Sequence, residues 1–162
     1  MTGSHETYLL LGSNLKDPEI QLKKAIQLLK KQVGVVKKKS SICRTAAWGF
    51  TEQPDFLNQV ILISTDLCAE ECLAAILDIE KEMGRIRTTR NAPRLIDIDI
   101  LFYDNLILDK HQLKIPHPAI PERRFVLEPM KEIASGYIHP VLNISIARLL
   151  QDCPDNLDVS KM

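Results

Sequence analysis

Tyr8-Leu9-Leu10-Leu11 is a short unbroken apolar run, stopped by Gly12-Ser13-Asn14. A run of that length ended by turn residues predicts a buried strand finishing at Gly12, not part of a helix. Asp17-Pro18 then supplies an N-cap and a first-turn proline. Ile20, Ala25, Ile26, Leu28 and Leu29 approximate a helical stripe between lysines, with Gly34 past its end. Val33 to Arg44 is rich in β-branched residues and Leu57 to Asp66 has the composition of a strand, so two strands flank a long exposed loop from Thr45 to Phe56. A second helical stripe, Leu73, Ile76, Leu77, Ile79 and Met83, lies within Ala69 to Met83 and closes at Gly84. Leu95 to Tyr103 returns to alternation. Beyond Asp109 the prolines at 116, 118, 121 and 129 punctuate a loop and a helix from Glu122 to Ala134, and Ile144 to Gln151 predicts one more short helix.

The order βαββαβ predicts an α+β sandwich of the ferredoxin-like kind, with an antiparallel sheet, helices packed on one face and the C-terminal helices as additions. With 162 residues and 45% hydrophobic content, residues 1–162 are expected to form a single domain around one core. Lysine plus arginine and aspartate plus glutamate both count 21, so no net field draws the chain to nucleic acid or to an anionic membrane. Neither is expected as a partner. Met1 to Thr7 is polar, and no stretch approaches the roughly 20 apolar residues that span a bilayer, so the expected location is the cytosol. Cys43, Cys68, Cys72 and Cys153 match no zinc-ribbon or redox spacing and read as reduced, small apolar fillers. Cys68 and Cys72 would share a helix face, yet without a second pair nearby the core reading outweighs a metal one.

The candidate chemistry starts in Leu95-Ile96-Asp97-Ile98-Asp99-Ile100-Leu101-Phe102. A period of two puts Ile96, Ile98, Ile100 and Phe102 on one face and both aspartates on the other, roughly 7 Å apart. Like charges so close on an apolar strand cost stability unless cations bridge them or arginines offset them. Hard oxygen ligands without a histidine or cysteine favour magnesium over zinc, and adjacent carboxylates suit ions that also hold substrate phosphates. A solvated strand face is the plain alternative, but Arg85, Arg87, Arg90 and Arg94 lead into this strand. Bidentate donors beside a metal pair are what a triphosphate requires. Neither a P-loop nor a Rossmann glycine motif is present, so side chains must hold the nucleotide. His117 sits in Pro116-His117-Pro118, close before Arg123 and Phe125, while Phe56 and Asn58 stand at a loop-to-strand junction where a flat heterocycle would stack and be hydrogen-bonded.

Together, Gly12-Ser13-Asn14 after the first strand, RTA-x-WG with EQPDFLN, E-x3-GRIR, APRLIDIDILF and PHPAIPERRF resemble the 6-hydroxymethyl-7,8-dihydropterin pyrophosphokinase family, from Tyr8 to about Ala134. The resemblance implies a ferredoxin-like fold and a cytosolic, monomeric enzyme of folate biosynthesis. Its substrates would be ATP and the hydroxymethyl pterin. The pterin hydroxymethyl oxygen would attack the β-phosphorus of ATP, giving the pterin diphosphate and AMP. By the same match Asp97 and Asp99 hold two magnesium ions that bridge the ATP phosphates. Asn58 hydrogen-bonds the pterin, the backbone around Thr45, Ala46 and Trp48 meets its edge, and Phe56 and Phe125 sandwich its ring. Arg85, Arg87, Arg94, His117 and Arg123 fall near the phosphates, with Glu80 a further polar member, and Arg85 and Arg94 join the aspartates as catalytic residues. Asn91-Ala92 stand where many relatives carry tryptophan-glycine, and Ala47 where proline is frequent, so the two loops depart from the family pattern.

Three other readings compete. A different two-metal phosphoryl or nucleotidyl transferase would not release AMP from ATP and pterin. An RNA-binding module would want an aromatic-bearing strand and net positive charge. A non-catalytic interaction domain leaves Asp97, Asp99 and their arginine border without a purpose.

Overall fold

The computed structural model describes residues 4–46, 54–84 and 95–162. Strand β1 (His5–Ser13) is central. It pairs antiparallel with β5 (Asp97–Tyr103) on one side and β4 (Phe56–Thr65) on the other. Beyond β4 lie β2 (Gly34–Lys39) and β3 (Cys43–Thr45), both antiparallel to it, and β8 (Ser160–Lys161) adds to the outer edge of β3. The single strand expected over 33–44 is therefore two, broken at Ser40, whose hydroxyl accepts from the Val60 N–H at 3.0 Å. Two further short strands, β6 (Leu108–Asp109) and β7 (Lys114–Ile115), form a separate ribbon.

The four α-helices found among the described residues cover both faces of this sheet. Helices α1 (Pro18–Gln32) and α2 (Ala69–Glu82) pack on one face through Leu22, Ala25, Ile26, Leu29, Cys72, Ile76 and Ile79. The opposite face is covered by α3 (Arg124–Ala134) and α4 (Ile146–Gln151) through Val126, Leu127, Met130, Ile146, Leu149 and Leu150. The helices of the βαββαβ unit share one face as expected and the added C-terminal helices cover the other, a double burial for which β1 already held the sign. Leu9 and Leu11 point into the first core and Leu10 into the second. A strand buried on both faces reads as a continuous apolar run, not as an alternation.

A second correction concerns β5. Leu9 pairs with Ile100 but Tyr8 pairs with Phe102, so Leu101 has no partner on β1. This bulge turns Phe102 away from Ile98 and Ile100 and sets it beside Leu101 in the α3–α4 core. Tyr103 consequently faces the other way, and its hydroxyl donates to the Leu67 carbonyl.

Local signals fared unevenly. Gly84 does end α2, at φ 88, the left-handed conformation that glycine tolerates best. Gly34 follows the end of α1, just past the Val33 cap, and opens β2, where an added Cβ would lie 2.1 Å from the Ser64 carbonyl oxygen. Asp17 occupies the N-cap of α1 with φ 55 and makes no side-chain capping bond. Ile20 and Leu77, assigned to the apolar stripes, are 50% and 39% exposed. Cys43 and Cys72 are buried fillers, but Cys68 is exposed at the N-cap of α2, where its N–H donates to Glu71 at 2.9 Å.

Candidate active site

The site lies on the α3–α4 face of the sheet, at the end where β1 stops. Register alone builds its floor. Cys43 pairs with Asn58, Asn58 with Gly12 and Gly12 with Asp97, which makes one row across four strands. Directly opposed residues share a face, so Asp97 and the Asn58 carboxamide look the same way across Gly12, two strand spacings or roughly 10 Å apart. Asp99 is one pleat further along β5, opposite Leu10, which itself faces the second core. Both aspartates thus point away from Ile98 and Ile100, as the alternation predicted, and both are half-buried.

Gly12 is the gap in that row. An added Cβ would sit 2.7 Å from Asn58 Oδ1. The Asn58 side chain therefore lies over the glycine, and its Nδ2 donates to Thr45 Oγ1 at 3.4 Å. Asn58 and Thr45 are 5% and 3% exposed. Ala46, the next residue after β3, is exposed. Phe56 opens β4 opposite Thr45, and Phe125 lies in the first turn of α3 on the same face; both rings are half-buried. The guanidinium of Arg123, at the N-cap of α3, stands 5.7 Å from the centre of the Phe125 ring, within cation–π range.

His117 is brought to the aspartates by the β5 bulge. Its N–H donates to the carbonyl of the bulged Leu101 at 3.0 Å. Its Nδ1 accepts from the Ala119 N–H at 3.1 Å. In the neutral ring the proton then sits on Nε2, free to be donated. Burial holds the imidazole below its ordinary pKa, and the Arg123 charge pushes the same way while Asp97 opposes both. At neutral pH the ring is a neutral hydrogen-bond donor. We expect its NMR titration midpoint below 6.5 and a rise in Arg123→Ala; a midpoint above 6.5 would contradict the arrangement.

Glu80 differs from the expectation of a phosphate neighbour in what it is seen to touch. It is 3% exposed, on α2, and its Oε2 accepts from the Ile98 N–H at 2.8 Å, between the two aspartates. The carboxylate fastens this length of β5 to α2. Glu80→Ala leaves a buried N–H without that acceptor and should destabilise the fold by about 1–3 kcal/mol in denaturant melts, while Glu80→Gln, which keeps an acceptor, should cost less.

Ser13 and Asn14 carried no assigned role, yet they tie the site to distant chain. Ser13 Oγ donates to the Leu95 carbonyl at 2.5 Å, and Asn14 Nδ2 to the Pro54 carbonyl at 3.1 Å. Both are essentially inaccessible. A buried serine and asparagine at a strand end was the available sequence signal. Trp48, Arg85, Arg87 and Arg94, and the departures at Ala47, Asn91 and Ala92, lie outside the described residues. Among the described residues no three His, Cys, Asp or Glu side chains gather to hold a metal.

Residues 8–135 match the model of the 7,8-dihydro-6-hydroxymethylpterin-pyrophosphokinase family. The chain belongs to this family. The 2-amino-4-hydroxy-6-hydroxymethyldihydropteridine pyrophosphokinase of Aquifex aeolicus is 40% identical over 134 residues, which cover 83% of each chain. The Bacillus subtilis protein of the same name is 42% identical over 127 residues, covering 78% of this chain and 76% of its own. A folic acid synthesis protein of Dictyostelium discoideum is 39% identical over 94% of this chain, but this chain spans only 23% of that longer protein. The chain likewise spans 20% of a Pneumocystis carinii protein of the same kind. Among solved structures, the HPPK-DHPS protein of Plasmodium falciparum with pterin and p-hydroxybenzoate matches with a TM-score of 0.75 and 17% identity, covering 93% of this chain and 43% of its own. That last match speaks for the fold alone.

Proposed function

We propose that the chain transfers diphosphate from ATP to 6-hydroxymethyl-7,8-dihydropterin, giving the pterin diphosphate and AMP, as a step of folate biosynthesis. The observation that carries this is the row of Asp97, Gly12 and Asn58 on one sheet face. It puts a carboxylate and a carboxamide on either side of Gly12, which supports a reading with an acidic site on one side and a heterocycle edge on the other. In this reading Asn58 hydrogen-bonds the pterin, with the chain at Thr45, Ala46 and Trp48 along its edge and Phe56 and Phe125 against its ring. Arg85, Arg87, Arg94, His117 and Arg123 hold the phosphates, and Glu80 keeps the aspartate strand in place. His117 donates through Nε2 to a phosphate oxygen without adding a full charge.

The donor set fits magnesium. Two half-buried carboxylates on one face supply hard oxygens and leave other coordination positions for water and phosphate. Asp97 and Asp99 would hold two magnesium ions, which when bound would supply charge neutralisation along the ATP phosphates. The protein's own work is in-line positioning: Asn58 and the aromatic rings fix the pterin, and the cationic side chains fix the triphosphate. Arg85 and Arg94 belong with the aspartates in the catalytic set.

A ferredoxin-like arrangement is the finer fold we propose, supported by the order β5-β1-β4 with β2 and β3 paired to the far side of β4 and by α1 and α2 sharing one face. No helix among the described residues is long and apolar enough to cross a membrane. Four unpaired cysteines suit a cytosolic protein, and a monomer suits its size. The test is AMP release from ATP and magnesium, with and without the pterin. Pterin-dependent AMP is the expected result; ADP as product would point to another two-metal transferase.

A further inference from the structure

Helix α3 lacks a side-chain cap from its own N-cap residue, Arg123. The cap arrives from elsewhere in the chain. Asp155, past the end of α4, accepts the N–H of Arg124, the first residue of α3, on Oδ2 at 3.0 Å. Its Oδ1 accepts the Leu157 N–H at 2.9 Å, so both carboxylate oxygens are engaged by backbone. The segment then crosses to the other side of the site. Ser160 and Lys161 pair with Arg44 and Cys43 of β3, and the Met162 N–H donates to the Ile42 carbonyl at 2.9 Å. Glu132 of α3 closes the circuit. It accepts from the Ser41 hydroxyl at 2.8 Å and lies 3.8 Å from Lys161 Nζ.

Residues 155–162 therefore join two elements that have no direct covalent reason to keep a fixed separation. One is the start of α3, with Arg123 and Phe125; the other is β3, with Thr45 beside Asn58. A flat ligand held between Phe125 and the β3–β4 edge needs that separation held to fractions of an ångström, because stacking and hydrogen bonding both fall away quickly with misplacement. A half-buried helix start without its cap frays, and Phe125 lies in the first turn.

We propose that Asp155 is a positioning residue for the pterin site, acting through Arg124 and Phe125, and that the strand β8 it leads into sets the opposite edge. The inference rests on the pterin reading of Phe125 and Asn58 given above. Three variants separate the two, each measured for pterin affinity by fluorescence titration, for KM and kcat by AMP release, and for melting temperature. Asp155→Ala should raise the pterin dissociation constant and KM about fivefold and lower the melting temperature by about 2–4 °C, with kcat nearly unchanged. Asp155→Asn, whose single carboxamide oxygen can keep the Arg124 bond only by giving up the Leu157 bond, should bind pterin less tightly than the parent and more tightly than Asp155→Ala. Phe125→Ala should weaken pterin binding more than either. If Phe125→Ala weakens binding and Asp155→Ala does not, the positioning inference fails while the site stands. An Asp155→Ala that lowers kcat several-fold, or an Asp155→Asn as weak as Asp155→Ala, also overturns it. Unchanged pterin binding in Phe125→Ala would instead overturn the site reading itself.

Discussion

Asp97→Ala and Asp99→Ala should each cut pterin-dependent AMP release by about a thousandfold or more and leave the fold standing. The loss follows from what the two side chains face. Both look onto the α3–α4 side of β5, on the floor shared with Gly12 and Asn58, while the apolar core on the other side is built from Ile96, Ile98 and Ile100. Removing either carboxylate therefore takes nothing from that core. It removes half of the hard-oxygen set proposed to hold the metal ions, so the triphosphate loses its charge neutralisation during transfer. The fold should survive, since neither carboxylate belongs to that core and active-site residues are commonly kept at a cost to stability. Circular dichroism and thermal melts give that second half of the result. A near-parental rate in either variant, with the fold intact, would remove the metal assignment.

The same strand shows how far the sequence could be read and where it stopped. Alternation from Ile96 to Ile100 put both aspartates on one face, because side-chain period in a strand is geometric and local. It failed at Phe102, since the bulge at Leu101 arises from pairing with Tyr8 and Leu9, nearly a hundred residues away, and no local signal announces it. The double-sided burial of β1 was written in Leu9-Leu10-Leu11, but only the position of α3 and α4 tells which face Leu10 serves. Within the site, Phe56, Asn58, Phe125 and His117 were legible as residue types at loop junctions, and their partners came only from a family resemblance. Ser13, Asn14 and Asp155 were silent for a common reason. Each bonds a backbone group 82, 40 or 31 positions distant, and such pairs leave no periodicity behind.

Gly12 offers the sharper test of the geometry, because its substitution changes space and no charge. Glycine near the end of a strand costs about 0.5–1 kcal/mol relative to alanine, so something other than strand stability accounts for it. The structure supplies the reason: a Cβ would stand 2.7 Å from Asn58 Oδ1 and inside the gap between Asn58 and Asp97. Asn58 is flexible enough at its far end to yield, but only by turning its amide away from the pterin edge and from Thr45. Gly12→Ala should therefore raise the pterin KM about tenfold. Gly12→Val, which also fills the floor between Asn58 and Asp97 where the proposed substrates would meet, should lower kcat/KM about a hundredfold or more, the loss that a misplacement of roughly 1 Å brings to reacting groups. Valine suits a strand, so circular dichroism should report a folded protein. The double variant Gly12→Ala with Asn58→Ala should be no worse than Asn58→Ala alone, since the clash and the interaction it spoils are the same event. Additive losses would place the effect of Gly12 elsewhere, and a Gly12→Val enzyme with ordinary pterin KM and kcat would mean that the substrates do not cross this row at all.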